Sequence, residues 1–269
     1  MSIARAMQSG PTAPQLDHLF WRGIDGESLF NYSIECMNPN DKIEFKARLF
    51  AEFSRIGKAL SSPYRLQLLD VLAQGERSVE ELAGELGIPV ANASQHLQVL
   101  RSAQLVSVRR DGLYARYSLA APQVFRLWQV IRDLGRQRLA EVDRVVAQFL
   151  KHREGMEAIG AEELRRRLQD GDVVVLDVRP QSEYAAGHIV GALSVPINEL
   201  DKRLREIPAG RDVVAYCRGP YCVFADEAVA LLRERGRRAL RLAEGFPDWN
   251  ALGFPVEAGP AGRRRSKAD

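Results

Sequence analysis

Cys217-Arg218-Gly219-Pro220-Tyr221-Cys222 sits between an apolar run, Asp212 to Tyr216, and an alanine-rich apolar segment from Val223 to Arg233. This order predicts a buried strand, a tight turn and a helix. It presents a thiol at a strand end, facing a helix N-terminus. Backbone N–H groups converging there favour an anion, so the Cys217 thiolate is expected to be stabilised and usable as a nucleophile. The competing reading is that Cys217 is a small buried hydrophobe at the strand end.

Three stretches occur in order around this loop: Val174-Val175-Leu176-Asp177-Val178-Arg179 with Glu183-Tyr184-Ala185-Ala186-Gly187-His188-Ile189-Val190-Gly191-Ala192, then the cysteine loop, then Gly245-Phe246-Pro247-Asp248-Trp249. With them, Met156 to about Glu257 resembles the rhodanese (sulfurtransferase) family. The resemblance implies an α/β domain with a parallel sheet and a persulfide carried on Cys217. Phosphatases of similar fold use a longer Cys-x5-Arg loop, whereas here Val223 stands at the arginine position. Without that guanidinium a tetrahedral phosphate or arsenate is poorly held, and a sulfane sulfur fits.

In the mechanism the resemblance implies, the Cys217 thiolate attacks a sulfur donor such as thiosulfate or a persulfide, then passes the outer sulfur on. Loop amides from Arg218 to Val223, with the helix N-terminus, are expected to stabilise the anionic sulfur. Arg218 either adds charge for an anionic donor or is a solvated surface arginine. Tyr221 either shapes the entrance or covers the core edge. Asp177 and Arg179 are expected to hold the loop by ion-pair and hydrogen-bond contacts without reacting. His188 lies in the structural motif and takes no catalytic role. Cys222 either resolves a Cys217 persulfide, releasing sulfur and forming a loop disulfide, or is only a small thiol at the helix start.

At 269 residues, with 46% hydrophobic and 27% charged residues, the chain is long enough for two cores and reads as globular. No apolar run approaches bilayer length, and the N-terminus lacks a signal-peptide pattern, so a cytoplasmic location without a membrane partner is expected. The three cysteines, Cys36, Cys217 and Cys222, form no disulfide framework and suit a reducing compartment. The net charge of +3 is less telling than its clustering at Arg109-Arg110 and Arg263-Arg264-Arg265.

In the first half, Ser78-Val79-Glu80-Glu81 offers a capping box and Gly87 a helix stop. After a turn at Ile88-Pro89, Val90, Ala93, Leu97 and Leu100 recur on one helix face, leaving Asn92, Ser94, Gln95, Gln98 and Arg101 outward. Amides, a hydroxyl and an arginine are what a major-groove helix needs. Leu105 to Val108 and Leu113 to Leu119 read as strands joined through Arg109-Arg110-Asp111-Gly112. The hairpin would carry Arg109 and Arg110 at its tip and Arg116 on the returning strand, a wing suited to phosphate contact. With Ala59-Leu60-Ser61-Ser62-Pro63-Tyr64-Arg65, Ser94 to Leu100 and Ala103-Gln104-Leu105-Val106, residues Phe45 to Ala147 resemble the ArsR-type winged-helix repressors.

His96 reads as a packed structural residue. Metal sensing, the best-known activity of ArsR-type proteins, lacks its ligands here, because the winged-helix half has no cysteine and Gln123 to Leu150 has no histidine. No metal and no cofactor are expected. The amphipathic stretches Ile43 to Leu60 and Val124 to Phe149 suggest a homodimer on a palindromic operator, the alternative being a helix packed on the rhodanese half.

The expected architecture is two domains: a mostly α winged helix-turn-helix with a β-hairpin wing, then an α/β rhodanese-like domain with a parallel sheet. Residues 1–36 form a poorly ordered extension, with Met37 an alternative initiator. Residues 37–155 form the winged-helix and dimerisation domain, 156–260 the rhodanese domain and 261–269 a basic tail. The expected function is a sulfur-responsive DNA-binding repressor with sulfurtransferase chemistry at Cys217. The alternatives are a sulfurtransferase whose winged helix serves dimerisation or localisation, and a rhodanese half that only binds a ligand.

Overall fold

A computed structural model describes residues 38–112, 114–150, 153 and 155–259. The expected N-terminal extension with Cys36, the Met37 start and the basic tail lie outside the described residues.

Helix α1 (Pro39–Leu60) is followed by α2 (Pro63–Leu72), which has its proline in the first turn, where no N–H partner is lost. A two-residue strand β1 (Arg77–Ser78) leads into α3 (Val79–Leu86). Ser78 Oγ accepts from Glu81 N–H and Glu81 returns a carboxylate to Ser78 N–H, while Gly87 at φ 63° ends the helix in the left-handed region. Helix α4 (Val90–Ser102) buries Ala93, Leu97 and Leu100, the two leucines in one core with Leu68, Leu69 and Leu82. Val90, expected on that face, is 45% exposed. It lies in the first turn directly after Pro89, beyond the part of α4 that meets the core.

Strands β2 (Val106–Asp111) and β3 (Tyr114–Leu119) pair antiparallel, with Arg109 opposite Arg116 and Asp111 opposite Tyr114. Arg109 and Arg110 therefore belong to the strand, and the turn follows Asp111 at Gly112, where φ is 59°. The expected single stretch over Val124 to Phe149 is two helices, α5 (Pro122–Arg138) and α6 (Ala140–Phe149), separated by Leu139 in extended conformation. Apolar periodicity runs through a one-residue break of this kind, because the residues on both sides remain helical.

The second half contains β4 (Ala158–Ile159), α7 (Ala161–Asp170), β5 (Val173–Asp177), α8 (Gln181–Ala186), β6 (His188–Ile189), β7 (Leu193–Ser194), α9 (Leu200–Arg203), β8 (Asp212–Tyr216), α10 (Val223–Glu234), β9 (Ala239–Leu242), α11 (Phe246–Ala251) and β10 (Val256–Glu257). Five strands form a parallel sheet in the order β4-β9-β8-β5-β7. Both faces are covered, so β5 and β8 are apolar at nearly every position. Side chains alternate between the faces. Val173, Val175, Val214 and Tyr216 join one core with Trp249, while Val174, Leu176, Val213 and Ala215 join the other with Ala228, Val229 and Leu232 of α10. The same alternation continues past β8 and sends Cys217 to the α10 side.

Candidate functional site

Cys217 follows β8 and is 1% exposed, while Cys222 is the N-cap residue of α10. Cys222 N–H donates to the Gly219 carbonyl at 3.2 Å, which closes the turn through Pro220 and Tyr221. The two cysteines are joined by a disulfide, with Cα atoms 6.2 Å apart. The two cysteines among the described residues are thus a bonded pair across the loop, where no disulfide framework was expected. Half-buried Cys222 lines a cleft of about 300 Å³ with Tyr221 and Val223, and Cys217 lies beneath it.

Gly245 fixes the loop from the other side. Its N–H donates to Asp248 at 3.2 Å, and Phe246 N–H donates to the Cys217 carbonyl at 3.0 Å. A Cβ on Gly245 would collide with the backbone of Arg218 and Gly219. Glycine is needed here for close approach of two backbones.

Asp177 and Arg179 are fully buried and form a fork, Nη2 to Oδ2 at 2.6 Å and Nε to Oδ1 at 3.0 Å. Arg179 also donates to the Gly187 carbonyl at 2.7 Å and to Gln74 Oε1 at 3.2 Å. Neither residue bonds the cysteine loop as expected. Instead, Tyr216 hydroxyl donates to Asp177 Oδ2 at 2.5 Å, so the pair fixes the residue that precedes Cys217. Burial, with the Asp177 charge beside it, pushes the Tyr216 phenol well above its ordinary value and keeps it a proton donor.

Arg218 fits neither of its two sequence readings. Its guanidinium lies between Glu183, at 2.6 and 3.0 Å, and Glu85 of α3, whose Oε2 is 3.2 Å from Nη2. Burial alone would lower its pKa, but the hydrogen bonds and charges of Glu85 and Glu183 outweigh burial and raise it. Gln74, 2% exposed, donates to the Arg218 carbonyl at 3.1 Å while accepting from Arg179. From α5, Arg132 and Gln129 reach Asp248 of α11 at 2.5 and 2.7 Å. The winged helix therefore touches the cysteine loop directly and the loop's supporting helix as well.

In α4, Asn92, Gln95, Gln98 and Arg101 are exposed and Ser94 is half-buried. His96 packs its ring against Tyr64 at 5.4 Å. In the wing, Arg109 pairs with Glu76 at 2.9 Å, and Arg116 with Asp111 at 3.3 Å and Glu81 at 3.5 Å. These are surface pairs that a phosphate can displace cheaply. Arg110 is exposed and makes no ion pair among the described residues. His188 Nδ1 donates to the Tyr184 carbonyl at 2.8 Å and its ring stacks on Tyr184, a structural role. Among the described residues, no group of three or more His, Cys, Asp or Glu is placed to hold a metal ion. No helix among them is long and apolar enough to cross a membrane.

Residues 60–109 match the helix-turn-helix domain family and 160–252 the rhodanese-like domain family. An HTH-type transcriptional regulator of Mycobacterium tuberculosis, Rv0324, is 45% identical over 214 residues, covering 80% of this chain and 94% of the relative. The chain belongs to the ArsR-type helix-turn-helix transcriptional regulators with a C-terminal rhodanese domain. A sulfurtransferase of Allochromatium vinosum is 39% identical over 102 residues, 37% of this regulator and 94% of that protein. The homodimeric winged helix-turn-helix DNA-binding domain of a possible ArsR-family regulator from Mycobacterium bovis is 42% identical, covers 35% of this regulator and 87% of that chain, and superposes with a TM-score of 0.34.

Several residues of the regulator's site escaped the sequence reading. Glu183 and Asp248 left a signal, being acidic residues inside otherwise apolar motifs. Gln74, Glu85, Gln129 and Arg132 left none, since each reaches a partner more than a hundred residues away.

Two outcomes follow for the folded regulator. Gly245→Ala should destabilise it by about 1–3 kcal/mol through overpacking, read as a lower urea midpoint. The hydrogen bond from Arg218, the largest cause, holds the Glu85 carboxyl below its ordinary value. Its contribution is therefore fully present above the ordinary glutamate range and is lost as pH falls through the depressed value. Urea midpoints measured from pH 7 down to 3 should drop more steeply for wild type than for Glu85→Gln.

Proposed function

We propose that DNA binding by this regulator responds to sulfane sulfur carried as a persulfide on Cys217. The observation that carries the reading is the Arg218–Glu85 pair, which ties the residue after Cys217 to the helix packed under α4. Cys217 thiolate attacks the outer sulfur of a donor, forming Cys217–S–S⁻ while the donor's other fragment leaves with the electron pair of the broken bond. Cys222 thiolate then attacks Cys217 Sγ, closing the loop disulfide and expelling hydrosulfide. The 6.2 Å separation of their Cα atoms, on one turn, supports this resolving step. Return to the dithiol consumes two equivalents of a small thiol, which leave as their disulfide.

Thiol, persulfide and disulfide loops place different volumes and charges beside Arg218, which gives α3 and α4 a differential contact to respond to. In this account residues 37–155 read double-stranded operator DNA. Asn92, Ser94, Gln95, Gln98 and Arg101 meet base edges, and Arg109, Arg110 and Arg116 meet phosphates. Residues 156–260 receive the signal. Exposed Ile43, Val130, Leu134 and Phe149 support pairing with a second copy of the chain.

The test uses a duplex obtained by selection on the reduced full-length protein, titrated with reduced, persulfidated and disulfide forms. Affinity should shift roughly 5- to 150-fold between forms. Cys217→Ser should bind the duplex and ignore the treatment, and Arg110→Ala should reduce the salt slope by about one. Equal affinity in every covalent state of the loop would remove the sulfur response.

A further inference from the structure

The cleft over the loop disulfide has two walls. One is the cysteine loop and the start of α10, with Pro220, Tyr221 and Phe224. The other is supplied by the winged helix, with Asp70 of α2 and Trp128 and Arg132 of α5. Trp128 Nε1 donates to Asp70 Oδ1 at 2.9 Å, which fixes the indole where it lines the cleft. Burial pushes the Asp70 carboxyl up, against the Trp128 hydrogen bond and the Arg132 charge.

The electrostatics of the cleft are unusual for a site that would take a dianion. Among the described residues two cations line it, and both are occupied: Arg132 by Asp248 at 2.5 Å, Arg218 by Glu183 and Glu85. Among the described lining residues no free guanidinium remains to meet a sulfonate, and a dianion entering the cleft would meet the Asp70 carboxyl while losing its hydration. The surface on offer is aromatic and apolar, from Trp128, Tyr221, Phe224 and Pro220. Such a wall favours a substituent that carries its own apolar surface and little charge.

We propose that this cleft binds the organic group of a low-charge organic hydropersulfide, R–S–SH, with Trp128 of the winged helix as a specificity-determining wall. The inference rests on the reading that Cys217 accepts sulfane sulfur, and names the donor class for that site. With R held against Trp128 and Tyr221, the terminal sulfur points toward the Cys222 side of the cleft, beneath which Cys217 lies. Cys217–S⁻ attacks the terminal sulfur. The S–S bond of the donor breaks, R–S⁻ departs with the electron pair, and Cys217–S–SH forms, with no oxidant or reductant required. The DNA-binding half thereby decides which donor the rhodanese half accepts.

The test compares two probes, benzyl hydropersulfide and thiosulfate, on reduced full-length protein carrying Cys222→Ser so that the persulfide is retained. Initial rates of single-sulfur addition to the Cys217 peptide are followed by quenched mass spectrometry. Trp128→Ala and, separately, Tyr221→Ala should slow the benzyl donor about 3- to 10-fold and leave the thiosulfate rate within about twofold. Tyr221 is on the exposed loop, so its variant keeps the test open if loss of Trp128 impairs folding. Glu85→Gln, which frees part of the Arg218 charge, should speed thiosulfate and leave the benzyl donor unchanged. Equal slowing of both donors, or of neither, would overturn the assignment while leaving Cys217 as the sulfur acceptor. Failure of both donors to modify Cys217 in the parent protein would instead overturn the sulfur-responsive reading itself, and this one with it.

Discussion

Arg218 is held between Glu183 of the rhodanese domain and Glu85 of the winged helix, and it sits next to the cysteine at the centre of the site. A guanidinium this deeply set is tolerated only because both carboxylates pair with it. Removing one partner leaves a costly unmatched charge, which is why such a pair enforces one geometry more than it adds stability. Gln74 extends the constraint by bonding the Arg218 carbonyl and the buried Arg179 together. Arg132 repeats the principle from α5, reaching Asp248, whose other oxygen accepts from the Gly245 N–H beside the loop. The cysteine loop is thus positioned by side chains from both domains.

The parallel sheet makes this sensitivity local. Alternation along β8 places Tyr216 in one core and Cys217 in the other. Tyr216 is anchored through Asp177 and Arg179, so the strand end does not yield when the loop changes. What can yield is the segment from Arg218 to Cys222, whose far contacts are Glu85, Gln74 and the cleft wall at Trp128. In the proposed reaction, the sulfur atom added to Cys217 would have to be accommodated there. The nearest elements of the DNA-binding domain are α2, α3 and α5, and α2 and α3 share a core with α4. Coupling of this kind depends on close packing, because a filled interior has few ways to absorb one extra atom.

The sequence carried much of this architecture in readable form. Ser78, Glu81 and Gly87 bound α3 by local chemistry, and Ala93, Leu97 and Leu100 mark the buried face of α4 by spacing alone. Val90 shares that spacing yet is exposed, because spacing does not reveal where a helix leaves the core, and apolar periodicity on both sides hides the break at Leu139. Arg109 and Arg110 were placed in the turn because an Asp-Gly pair announces a reversal without fixing how far the strand runs before it. The cysteine loop was legible as strand, turn and helix. The partners of Arg218 were not, since Glu85 is an ordinary exposed-helix glutamate until the two domains are packed together. Trp128 likewise reads as one apolar position among several on α5, and only tertiary structure turns it toward the cleft.

In the proposed response, the covalent state of the Cys217–Cys222 loop reaches the DNA-reading helices through the Arg218–Glu85 pair. Amide hydrogen exchange of the full-length protein, with the loop reduced and with it closed as a disulfide, addresses this directly. Protection of Val79 to Leu86 is expected to differ between the two states in wild type, and the difference is expected to vanish in Glu85→Gln. Identical exchange across that helix in both loop states of the wild-type protein would contradict the account.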